Sequence, residues 1–229
     1  HRDLHSFPTR RSSDLLGVAV EREGYMRFFV IGGQAYRAGD YRVETDVSNA
    51  GYFWAAAALA GGRVTVRGVR RDSRPGDIRL LDCLERMGCG VHPEGDGIAV
   101  TGGRLSGITV DMSDMPDMVP TLGVVAAFAE GVTEIRNVAH LRAKECDRLA
   151  AVATELSRMG IDARCTESGL RIQGGLPRAA EIDTYDDHRI AMAFSVAGLK
   201  TPGVRIREEA CVEKSFPTYW QVFQKLYGR

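Results

Sequence analysis

No stretch of these 229 residues approaches the run of roughly 20 apolar side chains that a membrane-spanning helix needs, and no charged-then-apolar signal opens the chain. Neither charge is in surplus. Thirty Lys and Arg balance thirty Asp and Glu, so no basic stripe argues for nucleic acid and no acidic excess argues for a solvating tail. Cysteine is scarce: Cys83, Cys89, Cys146, Cys165 and Cys211 are odd in number, widely spaced and without a C-x-x-C pair. That pattern fits free thiols in a reducing compartment and argues against a zinc site. These absences point to a soluble, cytoplasmic protein with no nucleic-acid or membrane partner, in which any anion is held by a local cluster. What is present is a 44% hydrophobic content, enough for a sizeable core in one large domain or two small ones.

The first fifteen residues, HRDLHSFPTRRSSDL, lack apolar periodicity and begin without methionine. Their Arg and Ser content would suit a transit peptide, but Asp3 and Asp14 do not. Residues 1–15 are therefore set aside as non-native or artefactual, resembling translated adapter read-through. Residues 16–45 read as strand segments with a Gly-Gly turn, the end of a preceding domain. Residues 46–229 form the main domain, and it repeats internally. Segments from Asp46, Asp111 and Asp183 each run from an acidic loop into an apolar, Ala-containing helix, a Gly turn and an alternating strand. Second helices follow the first two strands, DIRLLDCLERMG and DRLAAVATELSRMG, with Gly88 and Gly160 as their C-caps. Hairpin-like pairs come next, GVHPEGDGIAVTG and GIDARCTESGLRIQG. The last copy is cut to SFPTYWQVFQKLYGR, predicted as one amphipathic helix with Trp220, Phe223 and Leu226 on its stripe. Two and a half β-α-β-α-β-β units predict an α+β fold. Three equivalent helix N-termini brought to one end of it would converge on an anion.

Five loops hold the unusual polar residues: Asp46-Val47-Ser48-Asn49, the segment around Asp114 and Asp117, HLRAKECDR, YDDHR and EKSFP. Lys144 and Arg148 stand i, i+4, and Glu145 and Arg148 i, i+3, so a helix starting here puts one carboxylate between two cations on one face. Taken alone, that cluster reads as a solvated helix start with ion pairs worth about 0.3–0.5 kcal/mol each. Asp187 is the natural N-cap of the run IAMAFSVAGL. Arg189 follows where the helix dipole disfavours a cation, and an anionic ligand would supply a reason for it. Asp117 reads as an N-cap or a general base. Lys214 carries no information by itself.

The motifs KECDR, YDDHR, KSFPTY, GGQAY and VETDVSNAGYFWAAAAL together resemble the C-terminal half of the 5-enolpyruvylshikimate-3-phosphate (EPSP) synthase family, over about residues 16–229. The resemblance implies the inside-out α/β barrel of the enolpyruvyl transferases, two domains of three units each closing over a cleft. It implies transfer of the enolpyruvyl group of phosphoenolpyruvate to the 5-hydroxyl of shikimate 3-phosphate with release of phosphate, by a monomer using no metal or organic cofactor. Asp117 would contact that hydroxyl and accept its proton, and Glu145 would protonate the phosphoenolpyruvate methylene carbon. His140 and Lys144 would contact shikimate 3-phosphate; Arg148, Arg189 and Lys214 would bind phosphoenolpyruvate; Asp46 and His188 would lie at the margin. The chemistry asks for such residues: an acid, a base, and cations against anionic groups and developing charge. The family's N-terminal Lys-Ser-x-x-x-Arg stretch and Gly-rich loop have no counterpart here, so the chain is expected to be a fragment carrying half an active site, inactive alone. Two alternatives stay open: the UDP-N-acetylglucosamine enolpyruvyl transferase, which shares the repeat, and a noncatalytic anion-binding repeat domain.

Overall fold

The computed structural model describes residues 16–24, 26–40, 43, 45–73 and 76–226; the expectation for residues 1–15 lies outside them. The chain divides into two compact units at residues 44 and 45. In the first, strands β1 (Val20–Glu23) and β2 (Arg27–Val30) pair antiparallel from Val20↔Val30 to Glu23↔Arg27. The Gly32-Gly33 turn follows this hairpin rather than joining it. Gln34 then folds back, accepting from Ala19 N at 2.8 Å and donating to Ile31 O at 2.9 Å.

The second unit is built on three helices with almost no polar face: α1 (Val47–Ala60), then, beyond the shorter α2 (Leu80–Arg86), α3 (Val119–Ala127), and, beyond α4 (Arg148–Arg158), α5 (His188–Ala197). Helices α1, α3 and α5 pack against one another pairwise. Their Ala, Gly and Val content allows the close approach, since small side chains leave the backbones room. Gly51 illustrates it: a Cβ there would sit 2.8 Å from Met118 Sδ and 3.0 Å from Leu80 Cδ2. Helix α4, by contrast, is strongly amphipathic, burying Leu149, Val152 and Leu156 while Arg158 stays at the surface.

Sheets lie against these helices. Strands β3 (Arg63–Arg67), β4 (Gly90–Glu94) and β5 (Gly97–Thr101) form an antiparallel sheet in the order β3-β5-β4. Strands β6 (Thr109–Asp111), β7 (Val132–Arg136), β8 (Asp162–Cys165) and β9 (Leu170–Gln173) form a second in the order β6-β7-β9-β8, with β6 and β7 parallel. The short strands β10 (Glu181–Ile182) and β11 (Arg205–Ile206) are parallel as well. So β6-α3-β7 and β10-α5-β11 are crossover units of the kind parallel strands require. Helices inside and sheets outside give the expected α+β, inside-out arrangement. Trp54 ties the layers together: it is fully buried, and its indole N–H donates to Ile98 O at 3.2 Å.

The repeat reappears atom by atom. Helices α2 and α4 both end on a left-handed glycine, Gly88 at φ 111° and Gly160 at φ 82°. Cys89 N then bonds Leu84 O at 2.9 Å in one copy, and Ile161 N bonds Leu156 O at 3.0 Å in the other. At the start of the inner strand of each hairpin stands a glycine pressed on a neighbouring carbonyl. A Cβ on Gly97 would lie 2.2 Å from Val66 O, and one on Gly169 1.9 Å from Ile135 O. The final segment differs from expectation. Helix α6 spans only Tyr219–Phe223 and passes into a 3-10 turn at Gln224–Leu226. Its buried stripe is Tyr219 and Phe223, stacked at 5.2 Å, while Trp220 is half-exposed and donates to Glu209 O at 3.1 Å. Thr218 offers no side-chain cap, and a helix this short is held by tertiary contacts, including the Tyr219 hydroxyl's bond to Met192 O at 3.1 Å.

Gly169→Ala should destabilise the chain by about 1–3 kcal/mol, because backbone cannot yield as a side chain does. Gly62→Ala, which meets nothing within 4 Å, should stay within about 0.5 kcal/mol. Urea midpoints at unchanged m-value would show the difference.

Candidate active site

Four segments bring their polar residues to one place, and each gets there for a local reason. Asp147 caps α4 by accepting from Ala150 N at 3.0 Å, which fixes Arg148 as the first helical residue. Asp187 caps α5 by accepting from Arg189 N at 2.8 Å. Asp117 sits in a 3-10 turn, Pro116–Met118, whose proline opens it. Lys214 ends another, Glu209–Lys214.

The Arg148 side chain is 1% exposed and its guanidinium reaches three carboxylates. Nη1 donates to Asp117 at 2.8 Å, Nε to Asp187 at 2.7 Å and Nη2 to Glu145 at 2.8 Å. Arg189 Nη2 meets the other oxygen of Asp117 at 2.8 Å, and Lys214 Nζ the other oxygen of Glu145 at 3.0 Å. The result is an alternating string, Arg189–Asp117–Arg148–Glu145–Lys214, with the fully buried Asp187 beneath its centre. Three cations face three carboxylates. Beside the Glu145 end lies a cavity of about 400 Å³ lined by Glu145, Asp186, Ala210, Cys211 and Lys214.

The charges tune one another. Lys214, the Glu145 backbone and Arg148 pull the Glu145 carboxyl down to about 2. Burial, helped by Arg189, lowers His188 below the usual imidazole value, and its Nδ1 is buried without a hydrogen-bond partner, 3.9 Å from Asp187. Burial raises Asp77, whose carboxylate accepts from Ser48 Oγ in the first turn of α1; Asp117 and Asp46 push the same way.

Two expectations need correction. Lys144, Glu145 and Arg148 do not share a helical face: a 3-10 turn at Ala139–Ala143 ends in extended backbone at Lys144, and the helix starts only at Arg148 because Asp147 caps it. Glu145 still reaches Arg148, from a loop. Nor is Asp117 a cap: Met118 holds the position before α3, with no side-chain hydrogen bond, and the Asp117 carboxylate is taken by two arginines instead. Arg189, out of place against the helix dipole, finds its partner in Asp117. Asp46 caps α1, accepting from Asn49 N at 3.1 Å. His140 and Lys144 are exposed, and neither has a hydrogen bond or ion pair to the string.

Two residues were missed. Tyr52 is fully buried one turn into α1, near Arg189 and Arg148, with no partner for its hydroxyl. Nothing in the sequence sets Asp77 apart; the packing of its turn does, with Gly76 so close to the Asp114 carbonyl that a Cβ would lie 1.9 Å from it. Among the described residues no group of three or more His, Cys, Asp or Glu converges as a metal site requires, and no helix is long and apolar enough to cross a membrane.

The sequence model of the family described as EPSP synthase (3-phosphoshikimate 1-carboxyvinyltransferase) matches residues 11–223. The chain belongs to the EPSP synthase family. It is 50% identical over 213 residues to the 3-phosphoshikimate 1-carboxyvinyltransferase of Syntrophobacter fumaroxidans, covering 92% of this chain and 50% of that protein. The Methanoculleus marisnigri protein of the same name is 49% identical, with 93% and 50% covered. The chain thus spans about half the length of the curated relatives it matches. Among solved structures, EPSP synthase from Acinetobacter baumannii superposes with a TM-score of 0.81 at 31% identity, over 95% of this chain and 54% of that one. The enolpyruvyl transferase NikO from Streptomyces tendae, at 23% identity and a TM-score of 0.74, covers 97% and 54% and speaks for the shared fold alone. The charged string therefore sits within an EPSP synthase half.

Arg148→Met should destabilise by about 3–5 kcal/mol, since it leaves Asp187 charged, buried and unpaired. Glu145 should show in a pH series. Its carboxyl is ordinarily near 4.5 and is held near 2 when folded, so its contribution is complete above pH 4.5 and lost as pH falls towards 2. Stability measured from pH 6 to 2 should fall less steeply in Glu145→Gln than in the parent.

Proposed function

We propose that this chain contributes half of the active site of an enzyme that transfers the enolpyruvyl group of phosphoenolpyruvate to the 5-hydroxyl of shikimate 3-phosphate, releasing phosphate. The observation that carries the reading is the string itself, two carboxylates interleaved with three cations on one side of the unit. Relatives named for this reaction support it. In the reading, Arg148 and Arg189 take the carboxylate of phosphoenolpyruvate, for which a planar fork is suited, and Lys214 takes phosphate as a point charge. His140 and Lys144, left outside the string, contact shikimate 3-phosphate, while Asp46 and His188 stay at the margin. The enzyme works as a cytoplasmic monomer.

The geometry bears on the order of events. A carboxyl held near 2 cannot deliver a proton at neutral pH. When an incoming phosphate draws Lys214 away from Glu145, the first cause of that depression is removed and the carboxyl rises towards a value from which it can protonate the methylene carbon. In the same way, an anion drawing on Arg189 and Arg148 releases the Asp117 carboxylate from those pairs, so that it is free to accept the proton of the 5-hydroxyl. Substrate anions and catalytic carboxylates thus compete for the same cations. Binding converts charge pairs into an acid and a base.

The test uses this chain fused behind the N-terminal half of the Syntrophobacter fumaroxidans relative. Isothermal titration should show shikimate 3-phosphate binding that tightens when phosphoenolpyruvate is present, and turnover should release phosphate. Glu145→Gln should bind shikimate 3-phosphate normally and lose at least about 100-fold in kcat. Arg189→Ala should raise the KM for phosphoenolpyruvate by about 30-fold or more, the scale of an unpaired buried charge partner. Undiminished turnover in Glu145→Gln would remove its assignment as the acid.

A further inference from the structure

The loop before α5 holds two consecutive non-glycine residues in the left-handed region, Tyr185 and Asp186, both at φ 54°. L-residues rarely adopt that backbone in succession, and it persists only where the surroundings enforce it. What enforces it lies outside the charged string. Glu155, on the last full turn of α4, has a fully buried carboxylate. One oxygen accepts from the Tyr185 hydroxyl at 2.6 Å. The other accepts from Asp183 N at 3.2 Å and lies 3.1 Å from Arg158. Arg158 and Arg207 then clamp the Asp183 side chain at 2.6 and 3.0 Å. Immediately beyond the two strained residues comes Asp187, whose side chain holds Arg148 and caps the helix that carries Arg189.

Helix α4 therefore grips this loop twice, at its N-terminus through Arg148–Asp187 and two turns later through Glu155–Tyr185. Only the first grip belongs to the site already described. We propose that Glu155 and Tyr185 are a positioning pair, which holds the Tyr185-Asp186 backbone in its left-handed form and so sets the Asp187 carboxylate against Arg148. Neither touches the string; both act through Asp187. The consequence for substrate rests on the reading of Arg148 and Arg189 as phosphoenolpyruvate ligands, whereas the consequence for Arg148 does not.

Two measurements separate those levels. In the 229-residue chain, hydrogen exchange of the Arg148 Nε–H, followed by arginine-selective NMR, reports the Arg148–Asp187 bond directly. Tyr185→Phe and Glu155→Gln should each speed that exchange by about tenfold or more, a local opening rather than a global one, while the exchange of core amides in α3 stays as in the parent. In the fused full-length enzyme the same variants should lose up to about 100-fold in kcat/KM for phosphoenolpyruvate and leave the Kd for shikimate 3-phosphate within about twofold. Unchanged Arg148 exchange in both variants overturns the pair whatever the kinetics, as does faster exchange that merely tracks the core amides. Faster Arg148 exchange with unaltered phosphoenolpyruvate kinetics supports the pair and instead overturns the assignment of these arginines to that substrate.

Discussion

One buried guanidinium governs the arrangement of the site. Taking Arg148 out of water is expensive unless every N–H edge finds an acceptor, and the structure provides three carboxylates from three separate segments of chain. Asp117, Glu145 and Asp187 belong to three different loops, so satisfying Arg148 fixes those loops relative to one another. Asp187 is the least replaceable of them. It is fully buried, accepts two hydrogen bonds from Arg148 and still caps α5, so the same oxygens end one helix's polar debt and neutralise another helix's first residue.

That double use explains how cations come to stand at helix N-termini, where the dipole opposes them. Arg148 and Arg189 each occupy the first turn of a helix, and each has an N-capping aspartate immediately before or two residues before it. The cap supplies negative charge at the point where the dipole is positive, while each guanidinium reaches past its own cap, Arg148 to Asp187, Asp117 and Glu145 and Arg189 to Asp117. Fold and site are coupled through this: α1, α3 and α5 must pack closely for their starts to converge, and Ala-rich, Gly-containing surfaces permit that. Gly51 against Met118 and Leu80 shows how little space is left.

Local chemistry in the sequence was enough to read the parts of this that are local. Asp187 as a cap, Gly88 and Gly160 as helix ends, and the hairpins β4-β5 and β8-β9 all follow from residue type and spacing, and the repeat multiplies their weight. What spacing could not reveal is where a backbone leaves the regular path. Lys144 and Glu145 are spaced for a helix from Arg148, but Asp147 competes as a cap and wins, because a side chain that satisfies the first free N–H groups outweighs a weak ion pair on a helical face. Asp117 likewise could be judged only against its immediate neighbours, whereas its partners come from 31 residues away in one case. Glu155 was hidden for a further reason: on an amphipathic helix a glutamate is ordinarily solvent-facing, and its burial depends on Tyr185 arriving from a loop with an unusual backbone.

The balance of three cations against three carboxylates has a consequence for association. A site presenting bare arginines would draw anions from a distance, but these are already neutralised by their own neighbours, in a chain whose formal net charge is zero. Long-range steering from this half is accordingly weak. Under the proposed reading, affinity is instead won at contact, by exchanging one anionic partner for another around Arg148, which stays in place. Such an exchange asks the guanidinium of Arg148 to remain fixed while Glu145 and Asp117 let go, and Asp187 is the carboxylate positioned to hold it: buried, anchored by its own helix, and inaccessible to the incoming ligand. The two part-exposed acids are then free to change partners because the buried one does not.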